Sequence, residues 1–514
     1  MRILSLVMIL GLLWSCQQNT PSNLLDVHSV KTQDGLVSGK LVGEDSVKTF
    51  MGIPFAAAPV GELRWKAPQP VSPWEGVKEC VANPASAIQN PPVPFFAWSE
   101  EFLIPPTPIS EDCLYLNVWT DAEKSDEKRP VMVWIHGGGF TGGSGTVPLY
   151  DGEELAKKGI VVVTINYRLG VLGFLSHPEL SKESDSGTSG NYGVLDQIAA
   201  LKWVKNNISQ FGGDPKNVTI AGQSAGSMSV NVLVSSPMAK GLFNKAIAQS
   251  GAMFNYDGGR SGRNIEMAEK AGEEFMEKTG AGSLEALRQI PADSLLKVGG
   301  SFWPYKDGNV IPLDFDETFI SGKANQIKLL TGWNADDNVS FGGPMTPEQF
   351  RAQAKEKYQD RAEEYLKLFP ASTPEELEET RSTLSEMMFG YQNFTWAKIQ
   401  SDLAPESSFL YHFTRIPPGE PNYGAFHSAE FSYSFHTLKY WNRPFTDVDY
   451  KLEDVMSQYW VNFVKSGNPN GDGLPNWPAF SSDNPMLMEL GDKIQAIKPP
   501  HLEQIQFLES VYMK

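Results

Sequence analysis

Apolar positions along the chain follow two alternating rhythms. Residues 131–135 (Val, Met, Val, Trp, Ile) are apolar without a break, as a strand covered on both faces must be. Residues 160–166, 218–220 and 329–331 repeat this pattern. Between such runs the period lengthens to that of a helix: Val194, Ile198, Leu201 and Val204 share one helical face. Residues 375–388 combine many charges with helical spacing and predict an amphipathic helix at the periphery. Glycines at 137–145 punctuate a strand end, while 181–190, rich in Ser and Gly, predicts a solvated loop. Strands alternating with helices predict an α/β fold: a large, mostly parallel, twisted central sheet flanked by helices. No repeat of fixed period and no change of composition breaks the pattern, so one domain with helical insertions is expected over 27–514.

The first residues obey a different logic. Arg2 precedes an apolar run from Ile3 to Trp14, followed by Ser15 and Cys16. That run is too short to span a bilayer, and its layout is that of an export signal. Leu13-Trp14-Ser15-Cys16 resembles a bacterial lipobox, in which Cys16 becomes the lipid-modified first residue, although Trp14 departs from the usual choice. The expectation is a signal over 1–15 and a polar tether over 16–26. Membrane contact is then made only through the N-terminal lipid, at the outer membrane or facing the periplasm. A plain secretory signal cut nearby is the alternative.

Charge and composition narrow the chemistry. Hydrophobic residues make up 41% and charged residues 20%, as in ordinary globular proteins. A net charge of −18 argues against a nucleic-acid partner and disfavours a strongly anionic substrate. The seven histidines are scattered singly, without metal-ligand spacing, so neither metal nor cofactor is expected. After Cys16 only Cys80 and Cys113 remain, and spacing leaves open whether they pair.

Gly222-Gln223-Ser224-Ala225-Gly226 follows the predicted strand at 218–220 and precedes a helix-forming segment. This is G-x-S-x-G in the strand–turn–helix setting that holds a serine hydroxyl clear of the backbone, at a helix N-terminus. Ser224 is therefore the candidate nucleophile. His136-Gly137-Gly138-Gly139-Phe140 directly follows the strand at 131–135 and matches the H-G-G-G loop that presents backbone amides to an oxyanion. Gly138 and Gly139 are the candidate donors, with the Ala225 amide as a third; His136 reads as a structural loop residue. A base follows the acid in the chain order of this motif, and four histidines qualify: His412, His427, His436 and His501. His412 has the apolar flanks of a strand residue.

Several longer stretches resemble one family. They are Phe50-Met51-Gly52-Ile53-Pro54-Phe55-Ala56 with Pro59-Val60-Gly61-Glu62-Leu63-Arg64, and Ser110-Glu111-Asp112-Cys113-Leu114-Tyr115-Leu116-Asn117-Val118-Trp119. Asn166-Tyr167-Arg168-Leu169-Gly170, Gly190-Asn191-Tyr192-Gly193 and Phe211-Gly212-Gly213-Asp214-Pro215 extend the match. From about Val37 to near the C-terminus the chain resembles the type-B carboxylesterases, α/β-hydrolases that include cholinesterases and bacterial para-nitrobenzyl esterases. The resemblance implies hydrolysis of a small-molecule carboxylic ester through an acyl-enzyme. A thioesterase or amidase with the same triad, or a binding protein that has lost catalysis, are the alternatives. By resemblance, Gly424-Ala425-Phe426-His427-Ser428-Ala429-Glu430 is the catalytic-histidine loop, which singles out His427. The family's acid segment reads G-x-N-x-D-E; here it is Gly332-Trp333-Asn334-Ala335-Asp336-Asp337, so Asp337 takes the place of the usual Glu. Ser250, in Gln249-Ser250-Gly251, is implied to hydrogen-bond around the triad. The family's first disulfide would join Cys113 to a position that is Ala87 here, so that bridge cannot form. Trp98 lies in the loop where choline-ester hydrolases keep a cation-binding Trp, but at a different offset from Cys113, and is expected to be a packing residue.

Overall fold

The apolar run at 131–135 belongs to the strand Arg129–Ile135, near the middle of an eleven-stranded sheet. Val131, Val133 and Ile135 enter the hydrophobic core on one face, Met132 and Trp134 the core on the other. Side chains alternate as in any strand, but both faces are covered, so every position is apolar. The computed structural model describes residues 23–44, 47–255, 262–337 and 343–513. Cys16, the expected signal over 1–15 and the expected tether as far as residue 22 lie outside the described residues; of the tether's last residues, which are described, Leu25 is buried and its amide donates to Glu123 O at 2.8 Å.

Across the sheet the strands run Ile494–Ile497, Leu487–Leu490, Ser408–Phe413, Lys328–Asn334, Lys245–Gln249, Gly213–Gln223, Arg129–Ile135, Val161–Ile165, Tyr115–Thr120, Val47–Pro54 and Lys40–Val42. The seven from Leu487–Leu490 to Val161–Ile165 are mutually parallel, and the remaining pairings are antiparallel. All four strands expected from the sequence are present. The helix Tyr192–Asn207 buries Val194, Ile198, Leu201 and Val204, as its period predicts.

Two local expectations need correction. The charged helix extends over thirty residues, Pro374–Leu403, and only its first half is peripheral. From Glu386 onward it is largely buried; Phe389, Tyr391, Phe394 and Trp396 lie in the core against the sheet. Nor is the segment at 181–190 uniformly solvated. Ser181 and Ser189 are buried, 2.9 Å apart through their hydroxyls, and Ser189 also meets Ser176 at 3.0 Å. Small hydroxyl side chains look solvent-seeking in sequence, yet they satisfy one another here.

The resemblance motifs meet in space. Arg64 grips Glu111 with Nε and Nη2 at 2.7 and 2.5 Å, and Arg168 holds fully buried Asp196 with Nε and Nη2 at 2.8 and 2.7 Å. Such bidentate pairs fix geometry as well as charge. Cys80 and Cys113 are both buried free thiols, so the pairing left open by the sequence is not made. Among the described residues no helix is long and apolar enough to cross a membrane.

Candidate active site

Ser224, Ala225, Gly138, Gly139, Ser250, Asp337 and His427 all follow the carboxyl ends of parallel strands, where open α/β sheets place their sites. Ser224 sits between the strand Gly213–Gln223 and the helix Ala225–Ser235, with φ 58° and ψ −124°. This is a strained elbow, tolerated because Gly222 and Gly226, two residues to either side, have no Cβ. A Cβ on Gly226 would lie 2.0 Å from the carbonyl oxygen of Ile135. Ser224 itself is only partly buried, whereas Gln223 and Ala225 beside it are closed off.

The glycine loop approaches the elbow from the neighbouring strand. His136 stacks on Tyr167 at 4.5 Å, and Tyr167 Oη donates to the His136 carbonyl at 2.9 Å. Burial pushes the His136 imidazole down to about 4, so it is a neutral structural ring, as expected. Gly138 and Gly139 both have positive φ, 104° and 62°. The Gly138 carbonyl accepts from the amides of Thr141 and Gly142, each at 3.0 Å, so it points back into its own loop. Gln89 braces the far side: its Oε1 accepts from Gly143 N at 2.8 Å and its Nε2 donates to Gly143 O at 2.9 Å. Gly138, Gly139, Ser224 and Ala225 all line one cavity.

Of the four downstream histidines, His427 alone joins Asp337 and that cavity. His427 Nδ1 lies 2.6 Å from Asp337 Oδ1, with both side chains buried. The second oxygen of Asp337 accepts from Asn334 N at 2.9 Å. His427 Nε2 faces the Gln223 amide nitrogen at 3.1 Å. An amide NH₂ only donates, so Nε2 accepts and the ring proton sits on Nδ1, toward Asp337. The Phe389 ring stacks on His427 at 4.8 Å and 13°. His412 lies in the strand Ser408–Phe413, as expected, and pairs with Glu386 at 3.1 Å; His501 reaches the same carboxylate at 3.2 Å. Burial opposes the charge on Glu386, but those two histidines outweigh it and hold the carboxyl at about 2. His436 meets Asp454 at 2.9 Å.

The adjacent acids diverge. Asp336 Oδ2 accepts from Ala425 N at 2.7 Å and its own amide donates to Ala425 O at 3.2 Å, tying the two loops together. Glu430 lies behind them, fully buried, accepting from Asn334 Nδ2 at 2.7 Å and Gln249 Nε2 at 3.2 Å. Burial and the nearby Asp337 charge raise its carboxyl to about 7. Ser250 departs from the expectation. Its amide donates to Gly332 O at 2.9 Å, but its buried hydroxyl has no hydrogen-bond partner, so it makes no bond to His427 or Asp337 here.

The cavity has a volume of about 580 Å³. Phe102, Ile104, Met228, Trp303, Phe389 and Phe431 form much of its wall, and among the described residues no Asp, Glu, Lys or Arg lines it. Trp98, expected to be a packing residue, is part of this wall: its Nε1 donates to Ser428 Oγ at 3.3 Å and its ring lies 6.3 Å from His427. Gln89 and Phe389 are contacts that no motif spacing announced, and Gln223 stood in the nucleophile motif without a role of its own.

Known proteins resemble this chain over most of its length. The carboxylesterase family profile matches residues 26–508. A fumonisin B1 esterase from Sphingopyxis macrogoltabida is 38% identical over 483 residues, covering 87% of this chain and 84% of that one. A para-nitrobenzyl esterase from Bacillus subtilis (strain 168) is 36% identical over 504 residues, with 93% and 98% covered. A solved thermophilic PNB esterase aligns with a TM-score of 0.80 and 34% identity over 94% of this chain and 100% of its own. The fold and site define an α/β enzyme that hydrolyses carboxylic esters. The chain belongs to the carboxylesterase family.

Proposed function

We propose that Ser224, His427 and Asp337 work as nucleophile, general base and orienting acid in a two-step acyl transfer, on one catalytic unit spanning 27–514. The observation that carries the reading is the 2.6 Å contact between His427 Nδ1 and Asp337, with Nε2 left as an acceptor in the cavity that Ser224 lines. In the first step His427 Nε2 takes the Ser224 proton as Oγ bonds to the ester carbonyl carbon. The carbonyl oxygen becomes an oxyanion held by the amides of Gly138, Gly139 and Ala225. Each such donor contributes on the order of 3 kcal/mol to lowering the barrier. Asp337 stabilises the imidazolium. Collapse breaks the ester C–O bond, and the alcohol leaves with the proton returned by His427. Water, deprotonated by the same histidine, then releases the acid and restores Ser224.

An organophosphonate tests this: covalent attachment is expected on the peptide containing Ser224, with loss of ester hydrolysis in step. Labelling elsewhere, or activity that survives full labelling of Ser224, would overturn the assignment. Matched oxygen, sulfur and nitrogen leaving groups should rank the ester first.

For the N-terminus we propose an export signal ending before Cys16, with lipid on that cysteine and an outer-membrane or periplasm-facing address. The lipobox resemblance supports it. Mass spectrometry of the mature chain is expected to find acyl groups on Cys16; an unacylated mature chain would refute it.

A further inference from the structure

The mouth of the cavity carries an apolar lip. Val93, Phe95 and Phe96 are 67%, 59% and 51% exposed, and among the described residues Phe95 and Phe96 are the only exposed phenylalanines. The lip is stiff. Phe95 and Trp98 exchange both backbone hydrogen bonds, at 3.2 and 3.0 Å, closing a tight turn, and prolines stand at 91, 92 and 94. Phe96 occupies that turn with φ 48°, a left-handed conformation that suits Gly or Asn and strains a bulky residue. Exposure to water costs it again. A side chain kept outward at two costs, on a rigid turn, points to a surface it meets.

The lip is continuous with the cavity. Val93 and Phe95 also line the interior, while Phe96 does not; it packs on Tyr423 at 4.7 Å and on Trp98 at 5.7 Å, outside. No Lys or Arg occurs from 90 to 106, Glu100 is exposed beside the lip, and the chain carries −18 overall. An anionic lipid surface would be repelled. With a cavity behind it whose described lining holds no Asp, Glu, Lys or Arg, the lip suits an uncharged apolar phase.

We propose that Val93, Phe95 and Phe96 form a docking lip that seats on the surface of an aggregated, water-insoluble neutral ester, from which single molecules pass into the cavity. This rests on the reading of the cavity as an ester-hydrolysing site. Glycerol tributyrate, followed from below to above its solubility limit with the full chain, tests it. Wild-type rate is expected to step up when droplets appear. Phe96→Asn, which suits the left-handed turn, should keep the rate on dissolved ester and lose about tenfold on droplets. The proposal is overturned by a wild-type curve without a step, by a variant that keeps the whole step, or by one that loses dissolved and droplet activity alike. Flotation separates this from the catalytic reading: protein that floats with droplets through Phe96 but cleaves nothing supports the lip and sinks the esterase mechanism.

Discussion

Nε2 of Gln223 lies 3.1 Å from Nε2 of His427, on the imidazole edge that must receive the nucleophile's proton. No hydrogen bond joins Ser224 to His427 in the resting site, so substrate binding has to exchange one partner for another. Free enzymes often hold such contacts loosely and tighten them with substrate. In the meantime Gln223 keeps the ring in the tautomer a base needs.

Gln223→Glu therefore changes the pH response in a definite direction. A carboxylate in place of the amide cannot donate to Nε2 and favours the protonated ring. The acid limb of kcat/KM should move to higher pH. A limb that stays where it is in wild type would show that Gln223 does not face the working base.

Asp336 and Asp337 are adjacent, and substitution should separate them sharply. Asp337→Asn leaves an amide opposite His427 Nδ1 and can hold the wrong tautomer; a fall in kcat on the order of 10³–10⁴ is expected. Asp336→Asn can still accept from Ala425 N, and even Asp336→Ala should cost only about 1 kcal/mol of stability with most activity retained. Steady-state rates that reverse this order would place the acid at 336.

The glycine loop offers a second contrast. A Cβ on Gly138 would lie 2.2 Å from Gly142 O at a φ of 104°, whereas at Gly139 the nearest contact is Thr141 Oγ1 at 3.7 Å. Gly138→Ala must displace the loop and should lower kcat by roughly 10² or more. Gly139→Ala should cost about 1–2 kcal/mol of stability, from its left-handed backbone, with a smaller loss of rate. Thermal unfolding and kcat measured on both variants check this; equal rate losses would count against it.

Glu430 sets a stability signature. Its carboxyl titrates near 4.5 when unfolded and near 7 when folded, raised by burial and then by Asp337. Across that window the folded state keeps a proton the unfolded chain has lost, so this group's contribution is complete below pH 4.5 and is lost as pH rises through 7. The loss amounts to roughly 3 kcal/mol. Glu430→Gln mimics the protonated form and should remove this part of the decline. Denaturant unfolding at pH 5 and 7.5 checks it: a variant whose stability falls as steeply as wild type contradicts the assignment.

The sequence carried the fold because the central strands must be apolar on both faces, a pattern that short runs such as 131–135 announce without ambiguity. The elbow and the glycine loop were legible for a related reason: their backbone conformations demand glycine at fixed offsets. The contacts around His427 were not. Phe389 arrives from a helix whose first half is charged and exposed, so local composition masked its buried second half. Gln223 and Gln89 act through side-chain amides of a kind that polar loops commonly carry. Ser250, implied by resemblance alone, keeps its position at a strand end but turns its hydroxyl to no partner. Trp98 could be placed in the cavity wall only once the loop at 90–104 was folded against Ser428.

The central claim is that Ser224 Oγ attacks the ester, and the most direct measurement is kcat/KM of Ser224→Ala on a chromogenic carboxylic ester, with folding verified by its unfolding curve. Ser224 sits at the strained elbow facing the cavity, and its loss removes the nucleophile while leaving the glycine loop in place. The expected result is a native unfolding transition with activity reduced roughly 10⁴-fold or more. A folded variant that keeps more than about a tenth of the wild-type rate, where that 10⁴-fold loss is expected, would contradict the mechanism outright.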